Sequence, residues 1–352
     1  MSLSLVYAGG SLVHVVDAAG RIVCSLAAQD TPVGPANAGT AFAAGGGAVL
    51  DVPGLAEISV PALEDLLLTV DDPSGTPVEN KVTLQRLLGQ MLPSICQLRP
   101  TTESGVPVST VDRTAQGAIY LTPYSGKLVS LYDGTRWRLY STTERSLALT
   151  VTSGKNYDIF LYDNAGTLTL ELSAAWTTDF VRADALALQD GIPVKSGATT
   201  RRWMGTLRAS GSNVTEDSIA KRFVWSACNQ TLRLLGRNEA ATLHAYGTAV
   251  WREWNNGVGG PHRFSFVTGE PQVFATGGWV ELALLAYCSL SLNDASLEGP
   301  AVHANVNAGA TRGGLAADYQ STLGFNELVV VELGAGGSAE FNFYNITAGI
   351  MG

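Results

Sequence analysis

The chain has 352 residues, and at about 100–200 residues per domain this length corresponds to two or three domains. Hydrophobic residues make up 46% of it, which excludes a largely disordered chain. Charged residues make up only 15%, against ~25% in an average protein, and there are 39 glycines. A long helix or coiled coil needs many charged residues, so the composition favours a β-rich protein with many turns.

The net charge of −9 argues against a nucleic-acid partner, because such a protein needs clustered cations to displace counterions from phosphates. No apolar run reaches the ~20 residues of a membrane helix, so we expect no membrane insertion. The segment Met1–Gly10 has no basic stretch, so we expect no secretion signal. Four cysteines lie far apart and are interpreted as small buried hydrophobes of a protein made in a reducing compartment: Cys24, Cys96, Cys228 and Cys288.

Residues 1–60 predict a β-hairpin followed by an extended arm. Residues 3–26 alternate between apolar and polar side chains on either side of Asp17–Gly20, where Asp opens a turn and Gly20 supplies a positive φ. Residues 27–54 consist largely of Ala, Gly, Pro and Thr, which cannot pack a core, so we expect an arm or linker there.

Residues 61–100 carry the helical pattern of the chain and are predicted to form a short helical linker. One or two helical turns are expected over 62–68, followed by a break at Asp71–Gly75. Thr83 is predicted to cap a second short helix that stops before Pro93. The apolar stripe of this second helix has the spacing i, i+3, i+4, i+7: Leu84, Leu87, Leu88 and Met91. A helix this short needs a partner, which is either its own domain or copies of itself around a threefold axis.

Residues 101–235 alternate with a period of two and predict a central antiparallel β domain. Asp133–Gly134 is a strong hairpin signal, because both central residues of the matching turn take φ > 0. Asp163–Gly166 predicts a second hairpin. Asp190–Gly191 marks either a third hairpin or the end of a short helix that starts near Thr178.

Residues 236–352 predict a C-terminal β-sandwich, of jelly-roll type, from short alternating segments bounded by Gly, Pro, Asn or Ser. The predicted strands are 244–254, 262–268, 272–275, 278–292, 301–306, 325–333 and 339–346.

No catalytic motif is present, so we expect a protein that is not an enzyme and has no cofactor and no metal. The nucleophile elbow, the phosphate-binding loop and the dinucleotide fingerprint are missing, and the four histidines stand at no metal-ligand spacing. Glycosidases need only two carboxylates, which strands can bring together from distant positions, so a hydrolase stays open as an alternative. The acidic residues of the C-terminal strands are Glu253, Glu270, Glu281, Glu327, Glu332 and Glu340.

Aromatic and amide side chains around residue 255 predict a possible receptor or glycan contact. A tryptophan ring offers an apolar face to a sugar, and neighbouring amides offer hydrogen bonds. The residues are Trp251, Trp254, Asn255, Asn256 and His262. In a strand Trp251 and Trp254 would point to opposite faces, so at least one of them is expected in the core.

Several segments resemble a domain that recurs in virion structural proteins of tailed bacteriophages. They read AIYLTPYSG, LYDGTRWRLY, SGKNYDIFLYDNAGTLTLELSAAW, LQDGIPVKSGATTRRWMGTLR and EDSIAKRFVWSACNQ, and lie between Ala118 and Gln230. Upstream, DDPSGTPVENKVTLQRLLG resembles a short phage motif in which Ser-Gly-Thr-Pro precedes a Thr-Leu helix. The resemblance covers about residues 70–235 and consists of strand and turn motifs.

The resemblance implies a homotrimeric fibre or spike on the surface of a phage particle, made in the cytoplasm of the host. Residues 1–60 would attach to another virion protein of the capsid or tail. Residues 236–352 would face outward and contact a host receptor or cell-surface polysaccharide. Two alternatives remain: a capsid decoration or cement protein without a receptor role, and a tailspike depolymerase.

Overall fold

The computed structural model confirms an all-β fold. It describes the strands within residues 4–27, Leu63, and residues 66–71, 78–239, 243–257, 260–306, 309–337 and 339–352. One α-helix lies among these residues, and no helix in this part of the chain is long and apolar enough to cross a membrane. The chain forms two compact units, Met1–Leu87 and Leu88–Gly352.

The first unit begins with a three-stranded antiparallel sheet in the order β1–β2–β3. Its strands are β1 (Ser4–Ala8), β2 (Leu12–Val16) and β3 (Ile22–Ala27). The pairing of β2 with β3 confirms the predicted hairpin around residues 17–20. The predicted arm, from residue 28 onward, lies outside the described residues.

The expected helical turns over 62–68 are wrong, because Leu66–Leu68 belong to a strand. This strand, β4 (Leu66–Asp71), pairs over its whole length with β5 (Val78–Thr83), which supplies its backbone hydrogen bonds. The second helix is confirmed as α1 (Leu84–Met91). The Thr83 hydroxyl oxygen accepts the Arg86 amide at 3.2 Å, so the predicted cap is confirmed as well.

The second unit contains the remaining strands. Those of the predicted central domain are β6 (Leu98–Thr101), β7 (Arg113–Gln116), β8 (Ala118–Pro123), β9 (Leu128–Tyr132), β10 (Trp137–Ser141), β11 (Arg145–Ala148), β12 (Asn156–Asn164), β13 (Thr167–Leu172), β14 (Leu186–Gln189), β15 (Ile192–Lys195), β16 (Ala198–Gly211), β17 (Val214–Asp217), β18 (Lys221–Arg222), β19 (Val224–Ser226) and β20 (Leu232–Glu239). Those that follow are β21 (His244–Ala245), β22 (Arg252–Glu253), β23 (Arg263–Thr268), β24 (Val273–Ala283), β25 (Ala286–Leu292), β26 (Ala301–Asn305), β27 (Thr311–Gln320), β28 (Gly324–Gly334) and β29 (Glu340–Met351). A short 3₁₀ helix, Trp254–Asn256, follows β22.

Both predicted hairpins form, and at Asp190–Gly191 the hairpin is the alternative that is found, but the turn at Asp133–Gly134 differs from the prediction. Ala165–Gly166 and Asp190–Gly191 are two-residue turns in which both residues have positive φ. Between Tyr132 and Trp137 the loop has four residues, and in it only Gly134 has positive φ. The Asp133 carboxylate accepts the amides of Thr135 and Arg136, both at 2.9 Å, which favours the wider turn.

One large sheet continues across the predicted domain limit at residue 235. Its main path runs β13–β12–β16–β17–β18–β23–β28–β25–β26, and β18 pairs with β23 in parallel. β20 pairs along its length with the last strand, β29, so it belongs to the C-terminal sheet. The limits 101–235 and 236–352 stay predictions.

A second sheet, in the order β20–β29–β24–β27, packs against β23, β28 and β25 of the large sheet. Alternate side chains of both sheets meet between them, as in a β-sandwich. The shared core includes Phe264, Phe266, Cys288, Leu328, Val330, Val280, Leu282, Phe341, Tyr344 and Ile346.

The predicted C-terminal strands differ from the observed ones at several points. Residues 244–254 form two short strands rather than one, and the break expected near 276 instead lies at Leu284, which has φ +55°. β27 was not predicted at all, because its Gly-Gly and Ala-Ala pairs look like loop composition.

A buried carboxylate, Asp158, joins β12 to the segments around it. It is fully buried and accepts hydrogen bonds from the indoles of Trp176 and Trp203, both at 3.0 Å, and from Thr206 at 2.8 Å. Arg182 pairs with Asp158 at 3.0 Å and donates onward to the Gly269 carbonyl at 2.7 Å, which lies beyond β23. The carboxylate therefore links the central strands to the C-terminal ones.

We predict that Asp158→Ala lowers the free energy of unfolding by ~3–5 kcal/mol, because it leaves the half-buried Arg182 guanidinium and two buried indole N–H groups without their acceptor. Urea denaturation followed by tryptophan fluorescence measures the change. Asp318→Ala, at an exposed carboxylate of β27, is the control and should change the free energy by less than ~0.5 kcal/mol. Equal losses in the two variants would contradict the central role of Asp158.

Candidate functional site

The predicted contact residues do not share one surface. Trp254 and His262 are buried, Trp251 is half-buried, and Asn255 and Asn256 are exposed. The two asparagines take positive φ, 52° and 54°, at the end of the 3₁₀ helix. Because this turn replaces the expected strand, Trp254 points into the sandwich. A glycan contact by Asn255, Asn256 and Trp251 stays a prediction.

Trp254 cannot act as a sugar platform in this conformation, because other rings enclose it. It is fully buried, and His244, Phe341 and Tyr344 pack edge-on against it at centroid distances of 5.3, 5.5 and 5.2 Å. Its indole nitrogen has no hydrogen-bond partner among the described residues. The ring therefore contributes apolar packing to the core.

His262 is also buried, and its hydrogen bond lies inside the protein rather than on a binding surface. Its Nδ1 lies 2.8 Å from the Tyr344 hydroxyl and 3.7 Å from the Glu239 carboxylate. Burial lowers the pKa of His262, and the nearby Glu239, Glu253 and Glu332 oppose this shift only in part. The neutral imidazole thus completes a hydrogen-bonded pair inside the sandwich.

The buried carboxylates of the described residues are all paired with arginine, which bears on the hydrolase alternative. They are Asp158, Asp217, Glu253 and Glu332, and their partners are Arg182, Arg222 and Arg233, Arg263, and Arg252. A glycosidase needs one accessible carboxylic acid and a second carboxylate beside it. Ion pairs of this kind favour a structural role. The described residues contain no group of three or more side chains suited to a metal ion.

A different group of aromatic and polar side chains lies on the outer face of the second sheet. Residues of β24 at even positions, such as Val280 and Leu282, point into the core, so Trp279 points outward. Its ring meets the Phe343 ring of β29 at a right angle with centroids 4.9 Å apart. The Arg312 guanidinium of β27 lies 4.9 Å from the centroid of each ring. We call Trp279, Phe343, Arg312, Glu281 and Asn342 the Trp279 face.

Two polar side chains complete the Trp279 face. Glu281 accepts a hydrogen bond from Arg312 at 2.7 Å and another from Asn342. The hydrogen bond from Arg312 holds the pKa of Glu281 below its usual value, so this carboxylate stays ionised. The arrangement offers acceptor oxygens and donor N–H groups next to two aromatic rings.

Glycines leave open space beside Trp279. A Cβ added to Gly277, which shares its face of β24, would meet no atom within 4 Å. A Cβ added to Gly314, directly across on β27, would meet only a backbone oxygen at 3.9 Å. A flat ligand could therefore reach the indole from these sides.

The Trp279 face was not predicted from the sequence, because its members are far apart in the chain. The Gly-Gly pair that precedes Trp279 and the Arg-Gly-Gly of β27 were available as signals of an aromatic side chain with small neighbours. Their pairing depends on the register of β24 with β27 and β29, which composition does not specify.

The predicted trimer stripe on α1 is partly exposed. Leu87 is 36% exposed and Met91 67% exposed, while Leu84 and Leu88 are half-buried. On the opposite side of the helix Gly89 is buried, and a Cβ there would lie 2.6 Å from the Arg138 backbone of β10. The glycine thus allows α1 to approach β10 and leaves the apolar stripe on the other side.

Comparison with known proteins identifies no family. No protein-family model and no curated protein matches the sequence. Similar solved structures include a β-porphyranase of glycoside hydrolase family 86 from Bacteroides plebeius, with 9% identity over 70% of this chain and 38% of that chain and a TM-score of 0.22. A Cry1Da tryptic core variant from Bacillus thuringiensis has 10% identity over 66% and 48%, with a TM-score of 0.19. The chain thus spans less than half the length of these proteins, and TM-scores this low carry no argument about function.

Proposed function

We propose that this protein is a structural protein on the surface of a tailed-phage particle, a homotrimeric fibre or spike whose C-terminal sandwich binds host polysaccharide. The proposed binding role is based on the Trp279 face. The strand and turn motifs within residues 70–235 supply the phage context.

The chemistry of the Trp279 face suits a sugar. Pyranose rings have an apolar C–H face that packs on an indole, while their hydroxyls need donors and acceptors at the ring edge. Glu281, Arg312 and Asn342 supply both kinds of group beside Trp279. Their mutual hydrogen bonds hold them in place before a ligand arrives, which reduces the entropy lost on binding.

The shape of the Trp279 face favours a polymer over a small metabolite. Small-molecule sites are concave and bury most of their ligand. Here the rings stand on a sheet surface with open glycine positions on two sides. Such a surface can contact several units of a long chain, and three copies in a trimer would add their affinities through multivalency.

The α1 stripe is the proposed trimer contact. Leu87, Leu88 and Met91 form an apolar strip on a helix of eight residues, which is too short to be stable in isolation. Three such helices around an axis would bury these side chains in one another, and most homo-oligomers close through such cyclic symmetry.

We predict that Trp279→Ala weakens binding to bacterial surface polysaccharide at least tenfold, because the stacking surface is lost. The measurement is binding of the full chain to an array of capsular and O-antigen polysaccharides, followed by titration of the best binder. Phe180→Ala removes an exposed aromatic ring elsewhere and should leave binding unchanged. Equal binding by wild type and Trp279→Ala would refute a role for the Trp279 face.

We predict that Leu87→Asp converts trimers into monomers of 36.9 kDa, because a carboxylate without a partner is costly in an apolar contact. Sedimentation equilibrium measures the mass. Gln90→Asp adds the same charge to an exposed position of α1 outside the stripe and should leave the trimer intact. A monomeric wild type, or a Leu87→Asp variant that keeps its mass, would contradict this contact.

We predict that antibodies against the protein label the surface of the phage particles whose genome encodes it, as seen by electron microscopy. Labels at the tail favour a fibre or spike, whereas labels on the head favour the decoration or cement protein. Particles without label, alongside label on a known virion protein in the same sample, would refute the virion role.

A further inference from the structure

Two cysteines from distant parts of the chain share one cavity in the second unit. The cavity has a volume of about 300 Å³ and is lined by Cys96, Cys228 and Arg202, among others. Cys96 lies just before β6, and Cys228 lies just after β19. Both residues are free cysteines that are half-buried and line the cavity, so a small molecule inside it could reach them.

Hydrogen bonds hold the two backbone segments together. The Asn229 amide donates to the carbonyls of Cys96 and Leu98, at 2.9 and 3.0 Å. Arg99 donates to the Asn229 carbonyl at 2.7 Å. Asn229 directly follows Cys228, so these bonds fix the position of one cysteine relative to the other.

Arg202 holds the segment before Cys96 and adds positive charge to the cavity. Its guanidinium donates to the carbonyls of Pro93, Ile95 and Ser130 at 3.0, 2.9 and 2.7 Å. A thiolate beside a guanidinium is stabilised, and partly exposed cysteines in such surroundings are the reactive ones.

The two thiols have different acidities. The neighbouring Cys228 side chain lowers the pKa of Cys96 to about 7 although burial opposes this shift, and the positive charge of Arg202 also lowers it. The neighbouring Cys96 side chain, together with burial, raises the pKa of Cys228. The pair therefore combines a more acidic thiol, Cys96, with a less acidic one, Cys228.

We propose that Cys96 and Cys228 form a thiol–disulfide exchange site that reacts with a low-molecular-weight disulfide and closes to an intramolecular disulfide. The geometry of the shared cavity and the bonds of Asn229 carry this inference, which does not depend on the proposed function. Cys288 differs from both, because it is fully buried in the sandwich and its pKa is raised by burial.

The exchange proceeds in two balanced steps. The Cys96 thiolate attacks one sulfur of the small disulfide, forms a mixed disulfide and releases one small thiolate. Cys228 then loses its proton, attacks the Cys96 sulfur and releases the second small thiolate. The two protons of the cysteine thiols end on the two released thiols, so the protein pair is oxidised and the small disulfide is reduced. The closed bond would tie the segment before β6 to the end of β19.

The test is incubation of the reduced full chain with oxidised glutathione, followed by intact mass and peptide mapping. We expect the mass to fall by ~2 Da, with a peptide that joins Cys96 to Cys228 and no glutathione left on either residue. A Cys96–Cys228 peptide pair that stays unlinked, or a linkage between two chains, would overturn the proposal.

Variants separate the roles of the two cysteines. Cys228→Ser should accumulate a glutathione adduct on Cys96, with a mass gain of ~305 Da, because the second step is blocked. Cys288→Ala is the matched control and should close as the wild type does. If Cys228→Ser fails to fold, the wild-type closure rate at several pH values decides: a half-maximal rate near pH 7 supports the Cys96 thiolate, and a rate that does not depend on pH refutes it.

Discussion

The pairing of Asp158 with Arg182 is the interaction on which the second unit depends most. A fully buried carboxylate is costly unless hydrogen bonds and an opposite charge compensate for its lost hydration. Asp158 obtains both, from Trp176, Trp203, Thr206 and Arg182. The donors come from β16 and from the segment between β13 and β14, so the carboxylate is satisfied only when these two parts of the chain are in place. Arg182 extends the network to the Gly269 carbonyl. A second buried carboxylate, Asp217, repeats this arrangement with Arg222 and Arg233.

These ion pairs also compensate the charge of the carboxylates that are buried inside the second unit. Arginine is suited to them because its planar fork donates to a carboxylate and to a backbone carbonyl at the same time, as Arg182 and Arg222 both do. The remaining apolar residues can then fill two strand layers. Polar side chains are therefore concentrated in a few buried ion pairs and on the outer faces of the sheets.

Local features of the fold were predictable from the sequence. Features that depend on which residues of neighbouring strands pair with each other were not. The cap at Thr83, the helix after it and the hairpins at Ala165–Gly166 and Asp190–Gly191 depend on neighbouring residues alone. The strand at Leu66 looked helical because three leucines in a row fit either structure, and only its pairing with β5 decides. The Trp279 face depends on three strands at once, which no local pattern encodes.

Trp254 and Trp279 show why an aromatic side chain cannot be assigned to binding from its neighbours in sequence. Trp254 stands next to two asparagines, as a sugar site would require, yet the 3₁₀ turn directs it inward against Phe341 and Tyr344. Trp279 stands among glycines and a valine, yet alternation along β24 directs it outward. The neighbours that matter are those across the sheet, because they determine both the open space around a ring and the polar groups at its edge. By that criterion Trp279, with Gly314 across from it on β27 and with Arg312, paired to Glu281, over its ring, is the better binding surface.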